Sequence, residues 1–115
     1  MVIRKGEHPV ERREHARGGA GFVTITHLAA EQETLGHCRM LVTAVIEPGS
    51  EMGYHVHQNE MEFFYVLEGA MEVNDGTETV VVYPGDTVVT AEGEGHSLRA
   101  HGNRPAKYLA VVVKK

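Results

Sequence analysis

The sequence predicts an all-β domain, a sandwich or barrel of about nine short antiparallel strands. Three observations carry this. The apolar runs are short and rich in Val, Ile, Thr, Phe and Tyr; Gly, Pro, Asn and Asp interrupt them at short intervals; and only Pro9 to Arg17 reads as helical. At 115 residues the chain has room for one core, so residues 1–115 are expected to form one domain, with 1–21 as an N-terminal arm.

Taken in order, the predicted strands are Phe22 to Leu28, His37 to Ile46, Met52 to His57, Glu62 to Leu67, Ala70 to Val73, Thr77 to Tyr83, Thr87 to Thr90, His96 to Ala100 and Ala106 to Val113. Each is bounded by turn chemistry. "EPG" (Glu47 to Gly49) separates the second strand from the third, and "NDG" (Asn74 to Gly76) carries an Asp-Gly pair favoured in hairpins. "PGD" (Pro84 to Asp86), "EGEG" (Glu92 to Gly95) and "HGNRP" (His101 to Pro105) mark the later turns. "GGAG" (Gly18 to Gly21) lacks the spacing of a dinucleotide loop and leads into a strand, so it reads as a flexible entry loop.

Composition excludes several functions. A net charge of -5 and a pI near 5.9 leave no basic stripe for phosphate, which argues against nucleic acid. The N-terminus lacks the apolar segment of a signal peptide, and no apolar run approaches the roughly 18 residues that span a bilayer. The single Cys38 cannot form an internal disulfide and reads as a small buried hydrophobe. A soluble cytoplasmic protein is the expectation.

The chemistry concentrates in "GSEMGYHVHQNEMEFFYVLEG", Gly49 to Gly69. Residues two apart on a strand share a face, so His55 and His57 point the same way. The residues "QNEM" then let the chain turn, so that Glu62 can open the next strand facing the same interior. A His-x-His pair alone arises by chance in roughly half of chains with this histidine content, whereas the pair with Glu62, Gly49 and Gly69 at these spacings arises in about one in a thousand. Two imidazoles and a carboxylate suit Mn, Fe, Co, Ni or Zn and leave positions open for a ligand. Glu60, two residues before Glu62, is the alternative carboxylate. Exposed strand histidines are the duller reading of the set.

These residues resemble the cupin superfamily. Its first motif is matched in full by Gly49, His55, His57, Glu62 and Gly69; its second is matched by Gly85, Gly93 and His96, with Ala91 in place of proline and Ala100 in place of asparagine. Asn103 falls three residues too late to replace the latter. The resemblance implies a double-stranded β-helix, a jelly-roll barrel, with one divalent transition metal held by His55, His57, Glu62 and His96. It also implies a homodimer, for which the stretches Phe22 to Leu28 and Ala106 to Val113 are expected to serve as edge strands.

Members of that superfamily include dioxygenases, decarboxylases, isomerases, lyases, cyclases and proteins that only bind a ligand, so the fold does not select among them. The expectation is a metalloenzyme acting on a small oxygen-rich molecule; the alternative is a non-catalytic binding or sensing module. Tyr54, Arg39 and Glu60 are the candidates for moving a proton or orienting a substrate. Phe64, Val66 and Leu98 share the inward parity of the ligands and are expected in the core, with pocket wall as a second role. His101 is expected at the surface, and His8, His15, His27 and His37 at the surface or behind the ligands.

Overall fold

The computed structural model describes residues 1–115. Ten strands form two antiparallel sheets: β1 (Val10–Glu14), β2 (Phe22–His27), β3 (Cys38–Ile46), β4 (Glu51–Val56), β5 (Glu60–Glu68), β6 (Ala70–Asn74), β7 (Thr79–Val82), β8 (Thr87–Thr90), β9 (Gly95–His101) and β10 (Ala106–Lys114). The larger sheet runs β1-β2-β3-β10-β5-β8 and the smaller β4-β9-β6-β7. The all-β expectation therefore holds, with one more strand than predicted.

The extra strand is a correction. Of Pro9 to Arg17, read as helical, Val10–Glu14 instead supplies β1, paired along its whole length with β2 from Val10 opposite Thr26 to Glu14 opposite Phe22, and only a short 3-10 turn, Ala16–Gly18, follows it. The alternation in "VERRE" decides it: Glu11 and Arg13 fall opposite Ile25 and Val23 on the inner face, while Val10, Arg12 and Glu14 face outward. Arg12 lies over the Phe22 ring at 3.6 Å, a cation–π contact that seals the outer side of this pair.

The pairing also corrects the expected edges. β2 lies between β1 and β3, and β10 lies between β3 and β5, so neither Phe22 to Leu28 nor Ala106 to Val113 has a free edge. Each finds backbone partners on both sides; the outer strands are β1 and β8 in one sheet and β4 and β7 in the other.

Period-two alternation builds the core. In the large sheet Val42, Ala110, Phe64 and Val88 lie side by side across β3, β10, β5 and β8, and the neighbouring row runs Met40, Val112, Glu62 and Thr90. Phe64, Val66 and Leu98 are buried, as their parity predicts. Burying each such side chain contributes about 1.5–3 kcal/mol relative to leaving it exposed. The Glu62 row lies at the end of this apolar stack, which places a carboxylate inside the barrel wall.

Two glycine features bring segments together. At Gly69, between β5 and β6, φ is +70° and a side chain would collide with the Pro105 carbonyl. Gly19 and Gly53 let two backbones lie flush, since a Cβ on Gly53 would strike the Arg17 carbonyl and one on Gly19 the Glu51 carbonyl. The "GGAG" loop is thus a packed junction against β4, further tied by the Glu51 N–H donating to the Ala20 carbonyl at 2.8 Å.

Candidate metal centre

Three strands and one strand end deliver the four predicted ligands. His55 on β4 lies directly opposite His96 on β9, Glu62 lies near the start of β5, and His57 follows immediately after β4. The loop Ala91 to Glu94 holds His57 in place: its N–H donates to the Glu94 carbonyl at 3.0 Å, and its carbonyl accepts from the Gly93 N–H at 2.8 Å. Ala91, standing at the expected proline, donates its N–H to the Glu94 carboxylate at 2.8 Å, a bond that proline lacks the hydrogen to make. Ala100, at the expected asparagine, packs in the core opposite Met71.

The candidate ligand atoms of His55, His57, Glu62 and His96 all lie within 4.8 Å of one another. The three imidazole planes are steeply inclined, at 74°, 73° and 90° to one another. Each ring has its Nδ1 engaged elsewhere: His55 with the Gly53 carbonyl at 2.8 Å, His57 with Glu60 Oε2 at 2.7 Å, His96 with Thr90 Oγ1 at 2.9 Å. Anchoring Nδ1 in this way fixes the orientation of each ring and leaves Nε2 free for another partner.

The inner atoms meet without satisfying one another. His57 Nε2 and His96 Nε2 are 3.3 Å apart, and Glu62 Oε1 is 2.8 Å from His96 Nε2 and 3.4 Å from His57 Nε2. Glu62 Oε1 is nevertheless buried without a properly directed hydrogen bond. The neighbouring rings offset part of the cost of burying this oxygen, and a cation shared with the three ring nitrogens would satisfy it more fully. The donor set of three imidazoles and one carboxylate fits a divalent first-row ion.

Electrostatics agree with that fit. Burial lowers the His55 pKa to about 4, so this ring is neutral and ready to ligate. Burial pushes Glu62 upward, but contacts with His57 and His96 outweigh it and hold the carboxyl at about 2. Glu62 in turn raises His57 above its ordinary range, against the opposing effect of burial and with help from Glu60. Glu60 is held at about 2, chiefly by Arg39, whose guanidinium donates to both carboxylate oxygens at 2.8 and 2.9 Å. Glu60 is therefore no ligand in this arrangement: it grips the far nitrogen of His57, and Arg39 grips Glu60.

A cavity of about 30 Å³ opens beside the cluster. His55, His57, Glu62, Tyr108 and Met52 line it together with Arg13, Arg17 and Arg39. That volume suits a few solvent molecules or a ligand of few heavy atoms. Burial raises the Tyr108 pKa, so its phenol stays protonated and can only donate or accept a neutral hydrogen bond.

Other expectations are redistributed. Tyr54, adjacent in sequence to His55, has the opposite parity: it is exposed and lines a second groove with Val80, Val89 and Glu94, which His96 also borders. Phe64, Val66 and Leu98 belong to the core and line no part of the metal-side cavity; Phe64 packs against Tyr108 and His96 at centroid distances of 5.1 and 6.1 Å. His101 is exposed and pairs with Glu72, and His27 pairs with Glu11 at 2.7 Å. Sequence reasoning missed Arg13, Arg17, Tyr108 and Thr90. The inward parity of Tyr108 in "AKYLAVVV" was a usable signal for one of them; the others depend on strand pairing.

No helix is long and apolar enough to cross a membrane. Comparison with known proteins places the geometry in a family. The chain is 34% identical over 113 residues to an oxalate-binding protein of Thermotoga maritima, covering 98% of this chain and 93% of that one. A crystal structure described as a predicted oxalate decarboxylase from Thermotoga maritima superposes with a TM-score of 0.94 at 34% identity, with full coverage of both chains. The polyketide cyclase RemF from Streptomyces resistomycificus shares the fold, with a TM-score of 0.80 at 20% identity, covering 100% of this chain and 80% of that one. The sequence model of the cupin domain matches residues 42–112, the span from β3 through β10 that carries all four converging side chains, and the chain belongs to the cupin domain family.

Proposed function

We propose that this protein is a metal-dependent cupin that captures a small oxygen-rich anion of the size of oxalate, with His55, His57, Glu62 and His96 as the metal ligands. The observation that carries the reading is the unpartnered Glu62 oxygen amid three inward-facing ring nitrogens, at the wall of a small cavity lined by three arginines. When bound, a divalent ion (Mn, Fe, Ni, Co or Zn) supplies a Lewis acid that attracts the ligand's oxygens. The chain's own part is to hold His55 neutral, keep Glu62 ionised, lock the rings through Gly53, Glu60 and Thr90, and exclude bulk water with Met52 and Tyr108. The oxalate-binding relative supports the choice of anion.

Turnover, as an oxidoreductase, lyase or isomerase, is the second reading, and the solved relative described as a predicted oxalate decarboxylase favours it. Against it stands the absence of a free acid or base in the cavity: Glu60 is committed to Arg39 and His57, and Tyr108 stays protonated. The test loads the protein with Mn, titrates oxalate by calorimetry, and assays for formate and carbon dioxide. Binding abolished by chelator with no product supports the first reading; product formation supports the second; no binding with metal present refutes both.

A homodimer belongs to the same proposal, through a face rather than an edge. Leu41, Val111, Phe63 and Val89 line up across the outer side of the large sheet, beside a row of Thr43, Leu109, Tyr65 and Thr87. Tyr65 and Val89 are exposed at 38% and 61%, and a second copy covering this apolar face would remove them from water. A cytoplasmic setting completes the reading, supported by the free thiol of Cys38.

A further inference from the structure

We infer that Arg17 is the second anchor for the captured anion, neutralising the carboxylate that points away from the metal side, so that the site selects short dianions over monoanions. The inference rests on the proposed anion-binding reading. Of the three arginines at the cavity, two are already committed. Arg13 donates to Glu11 at 2.9 Å, and Arg39 holds Glu60 with two bonds. Arg17, exposed at the mouth of the cavity, has no ion pair and no side-chain hydrogen bond, so of the three its guanidinium is the one free to turn toward a ligand.

The backbone around Arg17 is built to keep it there. His15 and Arg17 both adopt left-handed conformations, at φ 48° and 52°, which residues with side chains avoid unless the surroundings enforce them. The enforcement is visible. The Gly18 N–H donates to the His15 carbonyl at 2.8 Å, the Gly19 N–H to the Ala16 carbonyl at 2.9 Å, and the His15 N–H to the Gly21 carbonyl at 2.8 Å. Ala16 is buried, and the Arg17 carbonyl lies in the space left by the missing side chain of Gly53. Gly53 also supplies the carbonyl that orients His55, so one strand residue positions both a metal ligand and the turn that carries Arg17.

A planar, forked guanidinium pairs two-pronged with a carboxylate. A dianion gripped at one end by the metal would present its other end to Arg17 across a cavity of only about 30 Å³. The test uses the Mn-loaded full chain and calorimetry with oxalate, which has two carboxylates, and glycolate, which has one carboxylate and one hydroxyl. Arg17→Gln is expected to weaken oxalate at least about tenfold, to change glycolate less than about threefold, and to leave Mn affinity unaltered in competition with a chelator; Arg17→Lys should restore part of the loss. Equal oxalate affinity in wild type and Arg17→Gln overturns the inference while leaving the proposed function standing. Parallel loss for both anions, or a loss of Mn, assigns Arg17 to structure and also overturns it. Failure of the Mn-loaded wild type to bind either anion overturns the proposed function and this inference with it.

Discussion

His55 and His96 are cross-strand partners, directly opposite on β4 and β9, with ring centroids 4.8 Å apart. One ladder position therefore supplies two of the four converging side chains, and removing either should open the centre. His96→Ala is expected to lower metal content from near one ion per chain to a few percent, because three donors remain and the Thr90 hydroxyl loses its partner. Elemental analysis of protein purified without added metal measures this; unchanged content would remove His96 from the site.

Glu60→Gln keeps the side chain's shape but removes the charge that holds both His57 Nδ1 and Arg39. Partners of metal-bound histidines are worth about 10- to 100-fold in affinity. A loss in that range is expected for Mn by chelator competition, with the melting temperature lowered only slightly. An unaltered metal affinity would leave Glu60 as a surface ion-pair residue.

Acid should release the metal through His57. Its pKa is raised above 6.5, whereas His55 titrates near 4 and Glu62 near 2, so of these three His57 competes first for protons as pH falls. Metal affinity is expected to decline from around neutrality downward with a slope of about one proton. For metal-free protein the signs differ. The raised His57 contributes stability that is present below 6.5 and lost as pH rises through its folded value, while Glu62 contributes stability present above 4.5 and lost toward about 2. His55 acts the other way, contributing stability present above 6.5 and lost as pH falls toward about 4, and because its shift is the larger of the two imidazole shifts, metal-free protein should lose stability as pH is lowered from neutrality. A melting series with and without Mn from pH 4 to 9, about the range in which carboxylates and imidazoles titrate, reads both trends; metal affinity flat with pH contradicts the assignment.

The outer face of the large sheet gives a separate test. Light scattering of wild type should report about twice the 12.6 kDa chain mass. The double variant Phe63→Glu with Val111→Lys, whose side chains are direct neighbours on that face, should yield monomers that keep their metal. A wild-type mass near 12.6 kDa removes the dimer.

Parity along single strands made much of this molecule legible without coordinates. His55 and His57 share a face, Phe64 and Val66 share the face of Glu62, and the short turn-bounded runs announce an all-β fold. These features arise from the two-residue repeat of a strand, a property of neighbouring residues that any local stretch displays. The same rule, applied to Tyr54, would have turned it outward; adjacency to His55 was the misleading cue.

What only the tertiary structure decided is which strands face one another. Val10 to Glu14 became a strand because β2 offered a free edge and an apolar inner surface on which its alternation fits, and that partner is set by distant sequence. Arg13, Arg17, Thr90 and Tyr108 reach the metal side from segments distant in sequence, through pairing registers that leave no local signature. Pairing is won by the burial and backbone hydrogen bonds of the two packed sheets as a whole, so the four converging side chains could be read from the chain while the walls of the cavity beside them could not.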